Sequence, residues 1–174
     1  MADLVKIAEN KVLSTIVDKG NKYLTFELNE EEYGLEILKV QEIIGMMNVT
    51  HVPRMPEYVK GVINLRGKII PIIDLRMKFE MQAQEYNERT CIVEVQVQNH
   101  GQNVIMGVIV DRVSEVLDIA DKQIEETPAF GANVNTEFIT GMGKVGQRVV
   151  MLLDIDKVFS YDEMEIVRKT KEPT

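Results

Sequence analysis

An internal repeat constrains the fold of this 174-residue chain more than any other feature. Residues 67–79 (GKIIPIIDLRMKF) return as residues 147–159 (QRVVMLLDIDKVF), eighty positions later. A second stretch, residues 34–44 (GLEILKVQEII), matches residues 107–117 (GVIVDRVSEVL) at a spacing of 73. Repeated segments of this length indicate two similar structural units. Neither copy contains a catalytic motif, so the repeat favours a duplicated binding module over an enzyme.

The apolar residues of both copies recur with the period of β-strands. Residues 23–28 (YLTFEL) alternate between apolar and polar. Polar turns at 29–32, 64–67 and 99–102 each separate two apolar segments, as in hairpins. Many short strands with few helical periods predict an all-β fold of small, closed or nearly closed barrels.

Polar segments and a helix-capping motif divide the chain. The segment 82–88 (QAQEYNE) separates the two copies and is the expected linker. Ser160 and Glu163 have the spacing of a capping box, which predicts a helix after them. The expected parts are a tail or short helix at 1–20, two intertwined barrel subdomains at approximately 21–85 and 86–160, and a C-terminal helix at 160–171.

Composition narrows the class of partner. The chain has 20 Lys and Arg against 28 Asp and Glu, a net charge of −8, and the resulting field repels nucleic acid and anionic lipid. No apolar run approaches the roughly 18 residues of a membrane helix, and the charged first twenty residues lack the apolar core of a signal peptide. Cys91 is the only cysteine, which excludes an internal disulfide and favours a reducing compartment. We expect a cytoplasmic protein that binds other proteins.

Asp74 and Asp154 are the residues that most resemble a catalytic pair. Each ends the same apolar strand in its copy, as the carboxylates of two-lobed aspartic proteases do. That chemistry needs an Asp-Thr/Ser-Gly turn, whereas Leu-Arg follows the first aspartate and Ile-Asp follows the second. We therefore predict that both carboxylates cap short helices.

The residue pattern also gives no support for a metal site, a nucleotide site or a serine-hydrolase site. His51 and His100 are the only histidines, and no Cys or carboxylate stands at ligand spacing around them. Glycine-rich phosphate loops and nucleophile elbows are not found. The sequence predicts no catalytic residue, no metal and no cofactor.

Arg66 is the charged residue with the more interesting position. It lies in a turn between two very apolar strands, where the second copy has Gly146. One interpretation is a solvated turn charge, and the other is an ion pair with Glu42 that shapes a binding surface. Val40 and Glu42 have a similar ambiguity, because alternate residues of a strand belong to core and solvent or to an edge used for partner pairing.

Four segments form a pattern that is specific to one protein family. They are 31–43 (EEYGLEILKVQEI), 52–79 (VPRMPEYVKGVINLRGKIIPIIDLRMKF), 107–116 (GVIVDRVSEV) and 138–158 (FITGMGKVGQRVVMLLDIDKV). Together they resemble the CheW-like domain family of bacterial chemotaxis coupling proteins. The resemblance places such a domain at 21–174 and implies two five-stranded SH3-like β-barrel subdomains, in agreement with the repeat.

The family resemblance also implies a function. It describes a non-enzymatic adaptor that binds the regulatory domain of the histidine kinase CheA and the cytoplasmic tip of methyl-accepting chemotaxis receptors, with a receptor helix in the groove between subdomains. Such a protein is cytoplasmic and is recruited to membrane-associated receptor arrays. The residues implied for kinase binding are Val40, Glu42, Gly61 and Arg66. The residues implied for receptor binding are Cys91, Ile109, Gly141, Met142 and Gly143.

Ordinary structural roles compete with these assignments. Any of these residues is also consistent with barrel core, and Gly61 and Gly141 with close backbone approach. Two related functions are a fragment of the kinase and a fusion with a receiver domain. The sequence shows neither the ATP-binding motif of the kinase nor the acidic pocket of a receiver. An oligonucleotide-binding barrel needs interleaved basic and aromatic residues, yet aromatics are 6% and Trp is absent.

Overall fold

The computed structural model describes residues 21–128 and 137–170. Within them the three predicted hairpins are confirmed, at residues 22–36, 59–74 and 91–110. The expected tail at 1–20 and the last residue of the expected helix 160–171 lie outside the described residues. The strands are β1 Lys22–Leu28, β2 Glu31–Glu36, β3 Val40–Gly45, β4 Val59–Leu65, β5 Lys68–Asp74, β6 Cys91–Asn99, β7 Gln102–Val110, β8 Arg112–Asp118, β9 Ile124–Glu125, β10 Ile139–Val145 and β11 Arg148–Leu153. The α-helices are α1 Leu75–Lys78 and α2 Tyr161–Thr170, and 3₁₀ helices span Ile37–Lys39, Asp121–Gln123 and Ile155–Lys157.

These strands form two sheets. One has the order β3-β6-β7-β5-β4, and the other has the order β8-β1-β2-β11-β10-β9. The predicted all-β fold with two subdomains is confirmed, and the second sheet exceeds five strands because of the two-residue strand β9. Each sheet takes strands from both sides of residue 85, so the sheets do not coincide with the expected units 21–85 and 86–160.

The two copies of the repeat exchange strands. β5 runs parallel to β7 with Ile72 opposite Gly107, and β11 runs parallel to β2 with Leu152 opposite Gly34. These contacts are equivalent, because eighty residues separate Ile72 from Leu152 and 73 separate the glycines. A Cβ on Gly107 would lie 2.6 Å from Ile92 Cγ2 and 2.7 Å from Ile72 Cδ1, two fully buried side chains that would have to shift, so this pairing favours glycine. The second repeat interval therefore marks the residues that receive the exchanged strands.

Hydrophobic packing joins the two sheets. A large core contains buried residues of both sheets, among them Phe26, Leu35, Val93 and Met106. Burial of one such side chain contributes about 1.5–3 kcal/mol, so this core holds the subdomains together. Each sheet also has a small core of its own, made of Ile63, Ile70, Ile72, Ile92 and Ile109 in the five-stranded sheet and of Ile119, Val150 and Leu152 in or beside the six-stranded one.

Backbone hydrogen bonds connect the two edges of the five-stranded sheet. The segment after β3 reaches β4, where the Thr50 N–H donates to the Val62 carbonyl (2.8 Å) and the Val62 N–H donates to the Thr50 carbonyl (2.9 Å). Gly61 has φ +140°, and a Cβ there would lie 1.9 Å from the Thr50 oxygen. The six-stranded sheet repeats this contact as the β9–β10 pairing of Glu125 with Met142. We call the Thr50–Val62 contact the edge closure.

Both predicted aspartate caps are present. The Asp74 side chain accepts a hydrogen bond from the backbone N–H three residues on (3.4 Å), and Asp154 accepts one from the N–H two residues on (3.0 Å). The predicted capping box also begins α2, because the Ser160 N–H donates to Glu163 Oε1 (2.9 Å) and the Glu163 N–H donates to Ser160 Oγ (3.2 Å). These caps satisfy N–H groups that helix ends leave unpaired.

Candidate functional site

Glu42 and Arg66 form an ion pair on the surface of the five-stranded sheet. Arg66 Nη1 lies 3.0 Å from Glu42 Oε1, and Nη2 contacts Oε2, so the guanidinium binds both carboxylate oxygens. The hydrogen bond from Arg66 lowers the pKa of the Glu42 carboxyl. Glu42 belongs to edge strand β3, and Arg66 follows edge strand β4. The pair therefore links the same two edges as the edge closure.

A tight turn presents Arg66 to solvent. Leu65 and Lys68 are the last paired residues of the β4–β5 hairpin, which leaves a two-residue loop. Both loop residues have positive φ, 51° at Arg66 and 85° at Gly67, as a type I′ turn requires. Asn64 Oδ1 accepts the Gly67 N–H at 2.9 Å. The turn leaves the Arg66 side chain 66% exposed.

Glu94 is a third charged residue of this surface. It lies opposite Glu42 in the β3–β6 pairing and is half-buried. Burial raises the pKa of the Glu94 carboxyl and the Glu42 charge raises it further, while Arg66 and Lys68 oppose the rise. The β3–β6 register places the two carboxyl groups side by side on one face of the sheet. Sequence reasoning missed Glu94, because it alternates with buried valines in CIVEVQV and therefore has the pattern of an ordinary solvent-facing strand residue.

Val40 and Gly61 lie beneath the surface that Glu42 and Arg66 form. Val40 is 4% exposed and packs in the large core. Gly61 is buried at the edge closure. Neither presents a side-chain atom that a partner could reach directly, so any role in kinase binding would act through the position of β3 and β4. Their assignment to the kinase surface stays a prediction.

The five residues implied for receptor binding lie in different sheets. Cys91 and Ile109 lie at the same end of the β6–β7 hairpin but on opposite faces of the sheet, since Cys91 is opposite Val110 and Ile109 is opposite Ile92; they are 4% and 3% exposed. Burial raises the pKa of the Cys91 thiol, in agreement with an inert core cysteine. On β10 of the six-stranded sheet, Met142 is half-buried between two buried glycines, Gly141 and Gly143. Their role in receptor binding also stays a prediction.

A polar cleft of about 500 Å³ lies beside Ile109. The linker, the β1–β2 turn and the ends of β5 and β7 line it. Arg76 Nη1 lies 2.6 Å from Asp111 Oδ2, and Arg76 Nε donates to the Gln82 carbonyl at 3.0 Å. Asp111 Oδ2 also accepts the Asn29 N–H at 2.8 Å. Asp111 therefore joins the linker side of the five-stranded sheet to a turn of the six-stranded sheet.

Tyr86 anchors the middle of the linker. Its hydroxyl donates to Asp74 Oδ2 at 2.7 Å, and the Asp74 residue is 3% exposed. Burial raises the pKa of Tyr86, and the Asp74 carboxylate raises it further, so the hydroxyl remains a donor. Sequence reasoning missed this anchor, although Tyr86 is the one aromatic residue of a polar segment.

The aspartate pair of the hydrolase hypothesis is not assembled. Asp74 ends a strand of the five-stranded sheet and Asp154 follows a strand of the six-stranded sheet, and each is bound in its own cap. Among residues 21–128 and 137–170, no group of three His, Cys, Asp or Glu could hold a metal. Over those same residues, every helix is too short or too polar to cross a membrane.

Together these features define a class of protein-binding scaffold: a duplicated two-sheet β fold with exchanged strands and a charged surface over its joined edges. The chain belongs to the CheW-like domain family, whose model matches residues 22–163. Family membership makes it a chemotaxis scaffold protein and not an enzyme.

Individual relatives match over most of their length. The chemotaxis protein CheW of Klebsiella aerogenes is 47% identical over 148 residues, 85% of this chain and 87% of that protein. The chemotaxis protein CheW of Rhizobium meliloti is 33% identical over 150 residues, 86% of this chain and 94% of that protein. The crystal structure of scaffolding protein TtCheW from Thermoanaerobacter tengcongensis matches with a TM-score of 0.71 and 34% identity, covering 83% of this chain and 95% of that one.

Proposed function

We propose that this chain is a cytoplasmic adaptor that couples methyl-accepting chemotaxis receptors to the histidine kinase CheA by binding both in a signalling array. The observation that carries the proposal is the Glu42–Arg66 pair over the joined edges of the five-stranded sheet. These two residues match the positions that the family resemblance assigns to kinase coupling. This protein and the kinase regulatory domain would alternate in rings through equivalent contacts, because the regulatory domain of such a kinase resembles this fold.

The surroundings of Arg66 have the composition of a protein interface. Arginine is enriched among the residues that dominate binding, usually beside apolar side chains. Ile69, in the same hairpin, is 45% exposed. An exposed arginine and an exposed isoleucine in one hairpin support a partner that supplies a carboxylate and an apolar contact. We assign this role to the kinase regulatory domain.

The receptor would bind elsewhere. We propose that its helical tip lies along the groove between the subdomains, near Cys91 and Ile109 on one side and residues 141–143 on the other. The polar cleft beside Ile109 offers accessible space on the side of the five-stranded sheet. Because Cys91 and Ile109 are themselves almost fully buried, the helix would contact the rim above them.

Titration calorimetry against the regulatory domain of the kinase tests the proposal. Arg66→Gly is the informative variant, because Arg66 has positive φ and the second copy has Gly146 at the equivalent position, so the turn survives. We expect micromolar or tighter binding to the unmodified protein and about tenfold weaker binding to Arg66→Gly. A receptor cytoplasmic-tip fragment should bind both proteins equally.

Lys144→Ala is the matched control. It removes another exposed ion pair, Lys144–Glu125 at 2.8 Å, from the six-stranded sheet. Kinase binding should be unchanged in this variant. Unchanged kinase binding by Arg66→Gly would place the kinase surface elsewhere, and equal weakening by both variants would show that the effect is not specific to Arg66. No kinase binding by the folded, unmodified protein would refute the coupling function.

A further inference from the structure

We propose that Glu94 is a positioning residue of the kinase-facing surface: its protonated carboxyl donates a hydrogen bond to Glu42 and holds Glu42 in the geometry that binds Arg66. The inference rests on the proposed function for its biological meaning. Its structural part depends only on the arrangement of these three side chains.

The strand register brings the two carboxyl groups together. Glu42 and Glu94 are direct partners in the antiparallel β3–β6 pairing. Like charges at directly opposite positions destabilise a sheet. Two neighbouring carboxyl groups avoid this repulsion when they share one proton. Glu42 is the member that remains ionised, because Arg66 binds both of its oxygens.

Glu42 is the carboxyl group that the strand pairing places beside Glu94, and the other residues next to Glu94 in the pairing and on its own strand face carry no charge. On its second side Glu94 is opposite Gly107 of β7, which has no side chain. On its own strand, the same face carries Ile92 and Gln96, which are uncharged. The charged groups that act on Glu94 are Glu42, Arg66 from the β4–β5 turn and Lys68 from β5. Burial and the Glu42 charge outweigh the two cations and raise the Glu94 pKa.

This arrangement makes the surface sensitive to pH. While Glu94 is protonated, one carboxylate faces Arg66 and Lys68. When Glu94 loses its proton, a second carboxylate competes for Arg66 and the donor to Glu42 disappears. Kinase binding should therefore weaken as the pH rises through the raised pKa of Glu94, by about two- to fivefold, the size of effect expected for a solvent-accessible charge.

Two measurements decide the inference. The first follows the side-chain carboxyl carbons of Glu42 and Glu94 by ¹³C NMR from pH 3 to pH 9 in the free protein. We expect Glu94 to titrate above the usual glutamate range, with a second inflection of the Glu42 signal at the same pH. Independent titration of both groups in the ordinary range would overturn the inference.

The second measurement is kinase binding between pH 5.5 and pH 8.5. Glu94→Gln keeps a donor toward Glu42 but cannot titrate, so its affinity should stay level while that of the unmodified protein falls. The same pH dependence in both proteins would overturn the positioning role. Absence of binding at every pH would refute the proposed function instead, and the Glu94 inference then stands or falls on the ¹³C titration.

Discussion

Replacing Gly61 with alanine should open the edge closure of the five-stranded sheet. The new Cβ would meet the Thr50 carbonyl, with 1.9 Å to its oxygen and 2.7 Å to its carbon. Both atoms are backbone, so no side-chain rotation relieves the clash. Separation of the strands loses the two Thr50–Val62 hydrogen bonds, about 1 kcal/mol each. Alanine at φ +140° adds about 1–3 kcal/mol of strain.

The expected loss is therefore about 3–5 kcal/mol, a large part of the total stability of about 5–15 kcal/mol of a typical domain. Urea denaturation followed by circular dichroism measures it. Hydrogen exchange locates it, because the amides of Thr50 and Val62 should lose protection before those of the central strands.

Two other glycines provide matched controls. Gly67 has φ +85° but open space around its Cβ position, so Gly67→Ala should cost only the strain of about 1–2 kcal/mol. A Cβ on Gly141 would lie 2.6 Å from Ile124 Cγ2 and 3.1 Å from the Glu125 carbonyl oxygen, and Gly141 has no positive φ, so Gly141→Ala should cost less than Gly61→Ala. A Gly61→Ala protein as stable as these controls, with Thr50 and Val62 still protected, would refute the closure argument.

Three further predictions concern other parts of the fold. Val40→Ala should lower the free energy of unfolding in urea denaturation by roughly 2 kcal/mol, since it removes two buried carbons and leaves a cavity; unchanged stability would contradict its place in the core. Tyr86→Phe should cost about 1–2 kcal/mol, since buried Asp74 loses a donor, and should speed protease cleavage of the linker; unchanged cleavage would contradict the anchor. Glu94 has a raised folded pKa, so its contribution to stability is complete at pH 4 and is lost as the pH rises. Glu94→Gln should therefore match the unmodified protein in denaturation at pH 4 and exceed it in stability at pH 8.

Local features of the fold could be predicted from the amino-acid sequence alone. The hairpins, the capping box at Ser160 and the caps at Asp74 and Asp154 each depend on residues a few positions apart, so spacing and residue type suffice to predict them. The duplication was visible for the same reason, because it is a property of the chain itself. Resemblance to the CheW-like family then supplied the partners.

Contacts between strands that are distant in the chain could not be predicted from the sequence. The exchange of β5 and β11 between the two copies places residues 72 and 107 side by side, whereas the sequence predicted intertwined subdomains without indicating which strands are exchanged. The Arg66–Glu42 pair was foreseen only as one of two alternatives. Its third member, Glu94, emerged only from the β3–β6 register.

The physical reason is the range of the interactions. The sequence by itself determined which residues face a core, where hairpins turn and where helices begin, because side-chain periodicity and local hydrogen bonds act over a few residues. Only the tertiary structure decided which strand lies beside which, because alternation selects a face of a strand but not its partner. The edge closure and the carboxyl pair both arise from that choice of partner.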